Sequence, residues 1–479
     1  MLFRRFVLIL TFVSLFWSAP AYAEDGGLTE ASTLGEVFGY IKNYHLMEHD
    51  ADALLQASIK GMLDVVDDPY TVYFTPGELE QFSDELNGDF EGIGIELEIK
   101  DQLPRVVKVF SGTPAQKAGL QSGDVIVAIE GQEAKGLSIY EVVGALQGKK
   151  GTQVHITVER EGQPDFQLAL TRDTVDLPTA QGKLLDHNIG YLAIESFGME
   201  TGQEIQASLL ELKEQGMQSL IIDLRNNGGG YVDAALEAAS YLLGKGKTVF
   251  ITEYREGDQE VFATELDNLI EKLPMVVLIN ENSASASEIL AGALQDYGMA
   301  TLMGTQTYGK GTVQDVVPLE NGGALKLTTA YYLTPKERRI DGQGLHPERV
   351  VSSPELQLYA AKQLLAPTST TEIKFAAGAP RVTINQEEYL LPGAMFEEKG
   401  QFYIPLRFTL EALGFEVKWQ TESNSIQVSG QGKTWLLPLN NTIASSPLIR
   451  GEVTYLPVKE LTLWGAQVQV EENTILIKR

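Results

Sequence analysis

The sequence predicts a multidomain α+β protein, and three patterns in its 479 residues carry that reading. Between about 176 and 365, apolar strand-like runs alternate with helical ones, as βαβ units around a mostly parallel sheet do. Between 90 and 175, short strands are punctuated by glycine, with one late helix. Near the C-terminus FYIPLRFTLEALGFEVKWQTESNSIQV (402–428) is matched by TYLPVKELTLWGAQVQVEENTILI (454–477), an internal repeat. The length exceeds what one hydrophobic core serves, and 43% hydrophobic with 21% charged residues describes folded domains rather than a disordered chain.

The N-terminus reads as an export signal. Arg4 and Arg5 precede an apolar run, 6–17, and small residues end at Ala21-Tyr22-Ala23, so residues 1–23 are expected to be a signal peptide cleaved before Glu24. The run is short against the roughly 20 residues a membrane helix needs. An extracytoplasmic protein, secreted or in the cell envelope, is the expectation.

Cysteine is absent, which excludes disulfides, thiolate nucleophiles and cysteine metal sites. The five histidines form no HExxH pattern, and His45 with His49 reads as a solvated helix face, so neither a metal nor a cofactor is predicted. A net charge of −28 (37 − 65) argues against nucleic acid and anionic membrane surfaces as partners.

Residues 24–89 carry helical spacing (Leu54, Leu55, Ile59, Met62, Leu63, Val66) up to the breaker Asp67-Asp68-Pro69, and no part in the chemistry is expected of them. In 90–175 the strands are 92–99, 105–110, 124–131, 154–161 and 166–173, with a helix at 139–146. Gly92-Ile93-Gly94-Ile95 opens the first strand, and SGTPAQKAGLQSGDVIVAIEG follows the second. In that order these features resemble a PDZ domain. The resemblance implies that residues 92–95 form a backbone nest for a peptide's C-terminal carboxylate, with the peptide added as a strand.

In 176–365 the strands are 189–194, 220–224, 275–279 and 300–303, and the helices 201–215, 232–243 and 287–297. A linker, 366–380, leads to the repeat domain, 381–479, where Tyr403-Ile404-Pro405-Leu406 matches Tyr455-Leu456-Pro457-Val458. This last domain resembles the copper amine oxidase N-terminal-like domain. It holds no Cys or His, so the family's name is not taken to mean metal binding, and a structural or envelope-binding role is expected.

Three stretches of the α/β segment carry chemistry. VVLINENSASASEILAGALQD runs from strand through a polar turn into a helix, a placement that holds a serine at the sheet's C-terminal edge beside unpaired helix N–H groups. Ser283, Ser285 and Ser287 compete, and each is equally well explained as a helix cap. LIIDLRNNGGGYVDAA places Gly228, Gly229 and Gly230 in a second such turn, where the backbone is able to approach a ligand closely. GTQTYGKGTVQ (304–314) nearly matches a P-loop, but Gly311 stands where a hydroxyl is needed and a strand, an Asn321-Gly322 turn and a second strand follow instead of a helix. By the period of two, Lys310, Thr312 and Gln314 share one face. A lysine near an activated serine serves as the base of a Ser-Lys dyad when burial lowers its pKa from about 10.4, and arginine has no such use. Gln314 is suited to hold the amine without adding charge.

Together with LTPKERRIDGQGLHPE, these motifs resemble the carboxyl-terminal processing protease family over about 30–365. The resemblance implies Ser285 as nucleophile, Lys310 as base, Gln314 as assisting amide, and an oxyanion hole from the backbone N–H groups of Gly229 and Ala286. Two departures are visible: Gly228 at a proline-like position, and no glycine after Thr334-Pro335. The implied function is an exported serine endopeptidase that captures apolar C-terminal tails of proteins through its PDZ domain, with a homodimer through the N-terminal helices. The alternative is a catalytically inactive PDZ and envelope-binding scaffold, whose mark would be a missing serine, lysine or glycine turn.

Overall fold

The structure, a computed structural model, describes residues 25–479 apart from 88, 101, 111, 161, 177, 271, 392, 399 and 440–446. The expected signal peptide lies outside the described residues. The chain opens with α1 (Asp25–Tyr44), α2 (Ala51–Val66), β1 (Val72–Phe74) and α3 (Pro76–Asn87). Asp50 caps α2, its carboxylate accepting from the N–H groups of Asp52 and Ala53. The helix stops at Asp67 in the left-handed region, just before Pro69. Strand β1 was hidden by the helical pattern, and it ties this segment into the domain 250 residues downstream.

The second domain contains β2 (Asp89–Gly92), β3 (Ile95–Lys100), β4 (Leu103–Val109), α4 (Pro114–Lys117), β5 (Val125–Ile129), β6 (Gln132–Glu133), α5 (Ile139–Leu146), β7 (Gln153–Glu159), β8 (Phe166–Thr171) and β9 (Asp173–Asp176). Its antiparallel sheet runs β3-β4-β5-β7-β8 and wraps a core that includes Ile93, Val106, Ile126, Val142 and Ile156. A capping box between Ser138 and Glu141 starts α5 where the sequence places it. Strand β3 is an edge, with β4 as its neighbour in the sheet.

The third domain follows as β10 (Ala180–Leu185), β11 (Ile189–Ile194), α6 (Thr201–Glu214), β12 (Ser219–Asp223), α7 (Val232–Leu243), β13 (Thr248–Tyr254), β14 (Gln259–Ala263), β15 (Met275–Ile279), α8 (Ala286–Asp296), β16 (Thr301–Gly304), β17 (Thr312–Pro318), β18 (Ala324–Leu333), β19 (Arg349–Val350) and α9 (Pro354–Leu365). The main sheet has the order β10-β11-β12-β15-β16-β19. It is parallel from β11 onward, with β10 as an antiparallel edge. One face, through Leu192, Leu220, Ile222, Val277 and Leu302, packs on α6, α7 and α8. The expected hairpin about Asn321-Gly322 is β17–β18, but the sequence reading did not foresee the second, antiparallel sheet it belongs to, in which β18 also pairs with β13 and β1, with β14 beyond β13. Phe250 and Tyr332 from this sheet close the same core.

The last domain holds β20 (Glu372–Ala376), β21 (Arg381–Ile384), β22 (Glu387–Leu390), β23 (Phe396–Glu398), β24 (Gln401–Pro405), α10 (Leu406–Ala412), β25 (Glu416–Gln420), β26 (Ser425–Gly430), β27 (Lys433–Pro438), β28 (Leu448–Arg450), β29 (Val453–Pro457), β30 (Gln467–Glu471) and β31 (Thr474–Lys478). The repeat is visible in space: β24 and β29 pair antiparallel with Ile404 opposite Leu456, so the two copies meet about a local twofold. The expected linker 366–380 needs correction, because β20 lies inside it and pairs with β21 and β31. Nor is the domain loosely attached. The other face of the parallel sheet (Ile189, Ile221, Val276, Leu278, Met303) shares one apolar core with Leu356 and Tyr359 of α9 and with Phe375, Leu410 and Ile475 beyond them.

Candidate active site

The C-terminal ends of β12, β15 and β16 lie side by side, so the Gly-rich turn, the serine turn and the Lys310 loop meet at one sheet edge. Of the three serines, two are structural. The Ser283 hydroxyl donates to the Leu224 carbonyl (2.7 Å) and that of Ser287 to the Asn227 carbonyl (3.0 Å), both fully buried. They fasten the serine turn to the glycine turn. Ser285, half-buried at the head of α8, has φ 57° and ψ −117°. That region suits glycine, and a serine held there carries about 1–3 kcal/mol of backbone strain, as nucleophiles on sharp strand-to-helix turns do.

Two buried side chains join this turn to the lysine loop. The Glu288 carboxylate accepts from the N–H groups of Ser285 (3.0 Å), Gly309 (2.9 Å) and Lys310 (3.0 Å) and from the Thr307 hydroxyl (2.5 Å). Burial pushes its pKa up, while these four donors pull the other way. The Tyr332 hydroxyl shares its proton between the carbonyls of Lys310 (2.7 Å) and Ser285 (3.2 Å). Gly309 and Gly311 permit the loop's course: a Cβ on Gly309 would meet Gly344 N at 2.8 Å, and one on Gly311 would meet Asp341 N at 2.4 Å.

The Lys310 amine lies 5.0 Å from the Tyr70 ring centroid. Its pKa is lowered to about 8, first by burial and then by the Lys326 charge, against the pull of Glu288 and Asp68. On the far side of Ser285 sits Gly229, with φ 104°, where a Cβ would come within 2.8 Å of Ser285 Cβ and 3.0 Å of Ala286 N. Only glycine fits so close to the turn. This is the edge of an α/β sheet with a strained serine, a half-buried lysine of lowered pKa, and main-chain amides beside both.

The family matches agree with this geometry. Residues 188–351 match peptidase family S41, 105–160 a PDZ domain and 359–428 a copper amine oxidase N-terminal domain. The carboxy-terminal processing protease CtpA of Bacillus subtilis is 35% identical over 329 residues, 69% of this chain and 70% of its own.

The chain belongs to the carboxy-terminal processing proteases.

A second relative, the carboxy-terminal-processing protease of Bartonella bacilliformis, is 34% identical over 70% of this chain and 78% of its own. Among solved structures, the photosystem II D1 C-terminal processing protease is 30% identical, covers 71% of this chain and 91% of its own, and has a TM-score of 0.45.

In this processing protease two expected positions differ from the sequence reading. The Gln314 amide nitrogen donates to the hydroxyls of Thr312 (2.9 Å) and Thr328 (3.3 Å), not to the lysine amine. Lys310 precedes β17, and the register of β17 on β18 shifts between Val313 and Gln314, so the period-of-two argument does not span the three residues. The Gly229 N–H, expected to be open to an oxyanion, donates to Asn227 Oδ1 at 2.8 Å in an Asx turn. Ala286 N–H heads α8, among the helix N–H groups that have no intrahelical acceptor. Gly228 has open space where a Cβ would stand, so its departure from a proline-like residue costs no packing, and Glu337 takes the left-handed conformation (φ 59°) at the missing glycine.

In the PDZ domain Ile93 is buried, and its carbonyl accepts from Ala115 N (2.9 Å). The Gly94 carbonyl accepts from Phe110 N (3.1 Å), and Ile95 begins the edge strand opposite Val109. Gly94 has φ 78°, and a Cβ there would lie 2.4 Å from the Thr113 side chain. Sequence reasoning gave no role to Glu288, Tyr332 or Tyr70 and saw Asp68 as part of a helix breaker. A signal for Glu288 existed in the Ser-x-x-Glu spacing from Ser285, and nothing local marks the others.

Proposed function

We propose that this processing protease cuts peptide bonds with Ser285 as nucleophile and Lys310 as general base. Family membership makes it a serine peptidase, and the residue assignment rests above all on one observation: Glu288 and Tyr332 each bind the backbones of both Ser285 and Lys310. The neutral amine takes the Ser285 hydroxyl proton as Oγ attacks the scissile carbonyl carbon. The resulting ammonium returns that proton to the amine leaving group as the C–N bond breaks, and water then hydrolyses the acyl-enzyme by the same exchange. Ala286 N–H and the glycine turn are suited to the oxyanion, with Gly229 contributing once its N–H leaves Asn227. Gln314 supports the floor beneath the loop through Thr312 and Thr328.

The PDZ domain binds substrate tails by strand addition. Edge strand β3 offers an unpaired backbone ladder, and residues Gly92 to Ile95 are suited to the terminal carboxylate, giving capture of apolar C-terminal tails. Export follows from the leader pattern in residues 1–23; among the described residues no helix is long and apolar enough to cross a membrane. Val37, Tyr40, Tyr44, Met62 and Val65 of α1 and α2 are all at least half exposed, which suits a homodimer through these helices. The C-terminal repeat has the character of a structural module with a further surface for an envelope component.

Cleavage of a fluorogenic peptide with an apolar C-terminal tail tests the dyad. Ser285→Ala and Lys310→Ala are expected to abolish turnover; full activity in either refutes it.

A further inference from the structure

Asp67-Asp68-Pro69 reads in the sequence as a helix breaker, yet the segment it opens arrives at the lysine. The turn Asp68-Pro69-Tyr70-Thr71 is knotted to β18 at several points. Asp68 Oδ1 accepts from Tyr70 N (3.0 Å), and Oδ2 accepts from the Thr71 hydroxyl (2.6 Å). Thr71 Oγ1 in turn accepts from Thr328 N (3.2 Å), and Val72 then pairs with Lys326. The result is a rigid bracket. It holds the Tyr70 ring with its centroid 5.0 Å from the Lys310 amine, inside the roughly 6 Å over which a ring attracts a cation.

We infer that Tyr70 and Asp68 are positioning residues for Lys310, and that they stabilise the ammonium formed when Ser285 gives up its proton. This rests on the reading of Lys310 as the base. The pair would do for the lysine what a buried carboxylate does for the histidine of a Ser-His-Asp triad: fix the base and favour its charged form as charge develops. Division of labour follows from their chemistry. The ring supplies attraction without adding charge, so the resting amine is still able to lose its proton. Asp68 supplies a carboxylate. Burial opposes its ionisation, but bonds from Thr328, Thr71 and Tyr70 N–H, and the Lys310 charge, bring its pKa below the ordinary value.

Every charged or titratable group around the amine has a sign. Lys326, across from Val72 on β18, disfavours the ammonium, whereas Glu288 beneath the loop and Asp68 favour it. The Tyr70 phenol, bonded to the Tyr308 hydroxyl and facing Asp341 and Asp68, is pushed up to about 12, with burial the largest cause. The Tyr332 phenol, fully buried below the loop, is likewise held well above its ordinary value, with burial the largest cause. Both phenols therefore stay neutral in the working range.

The N-terminal segment is thus part of the active site, and the test is a pH profile of kcat/KM and kcat on the full chain, using the tailed fluorogenic peptide. Tyr70→Leu moves the acidic limb down by about half to one pH unit and lowers the plateau roughly 2- to 10-fold, since the ammonium loses its ring. Tyr70→Phe keeps the ring and leaves the limb in place. Asp68→Asn moves the limb down, and Lys326→Gln moves it up. A plateau that falls in Tyr70→Leu with the limb unmoved, or Tyr70→Phe behaving as Tyr70→Leu, overturns the inference. Should Tyr70→Leu fail to fold, Asp68→Asn and Lys326→Gln decide: opposite shifts uphold it and unmoved limbs overturn it. Lys310→Ala separates the two readings. If that variant stays active, the base assignment itself is wrong; if it is dead and the limbs do not move, only the bracket is.

Discussion

At the scale of single residues, the site is a set of costs accepted for chemistry. Ser285 is strained, so glycine there should relax the turn. Ser285→Gly is expected to be more stable than Ser285→Ala by about 1–3 kcal/mol, by thermal or urea unfolding, with both inactive. Lys310 has its pKa depressed to about 8 from 10.5 on folding. Below about pH 8 the folded state holds an ammonium that the unfolded chain accommodates better, and the penalty fades as pH rises toward 10.5. Lys310→Met should therefore raise the unfolding midpoint at pH 7, and raise it less at pH 10, while abolishing turnover. Activity of the unaltered protein should climb with pH through a midpoint near 8, because the ammonium is unable to accept a proton. Glu288→Gln turns one of the two accepting oxygens into an NH2 donor, which then faces two of the four groups that donate to the carboxylate. Loss of register between serine and lysine is expected to cost roughly 10²-fold in kcat, with little change in the KM of a tailed peptide. Of these residues, Ser285 and Lys310 were singled out in the sequence through motif and family resemblance. Spacing alone left three serines open, and only the third dimension showed Ser283 and Ser287 engaged with the carbonyls of Leu224 and Asn227.

Among the secondary-structure elements, local signals worked where they were strong. Helix α5 begins and ends at the predicted residues because a capping box and an apolar stripe agree there. The parallel strands β11, β12 and β15 read as continuous apolar runs because both their faces are covered. Of the second sheet only the β17–β18 hairpin was foreseen, because the rest of its cohesion is non-local. Strand β1 has three residues, and its partner β18 lies 250 positions on. The hairpin β13–β14 did carry a signal, alternating apolar residues about Gly257, that the reading passed over. The edge strand β3 yields a prediction of its own. A peptide amidated at its C-terminus should bind the PDZ domain at least about tenfold more weakly than the free acid, measured by calorimetry, since charge-assisted bonds to the nest are lost. Gly94→Ala should abolish the difference, because φ 78° and the Thr113 side chain leave no room for a methyl group.

For the whole molecule, the sequence suggested domains joined by a linker, whereas the packing makes the back of the protease sheet and the C-terminal repeat one core. Truncation after Leu365 would leave α9 on the sheet but remove Phe375, Leu410 and Ile475 from the core they share with Leu356 and Tyr359, and is expected to leave an insoluble or aggregating protein, although every proposed active-site group remains. Leu356→Ala, at the centre of that seam, should cost about 2–5 kcal/mol in unfolding. The N-terminal segment is likewise integral, through β1 and the bracket on Lys310. Such couplings are invisible to a sequence read one segment at a time, because each side of the seam looks like an ordinary amphipathic element. The central claim, that one serine and one lysine held together by Glu288 and Tyr332 perform the cleavage, is tested most directly by mapping the adduct of a fluorophosphonate probe by mass spectrometry across pH. The account predicts a single adduct on Ser285, forming with a midpoint near pH 8 and absent in Lys310→Ala. An adduct on Ser283 or Ser287, or undiminished labelling of Ser285 without the lysine, would contradict it.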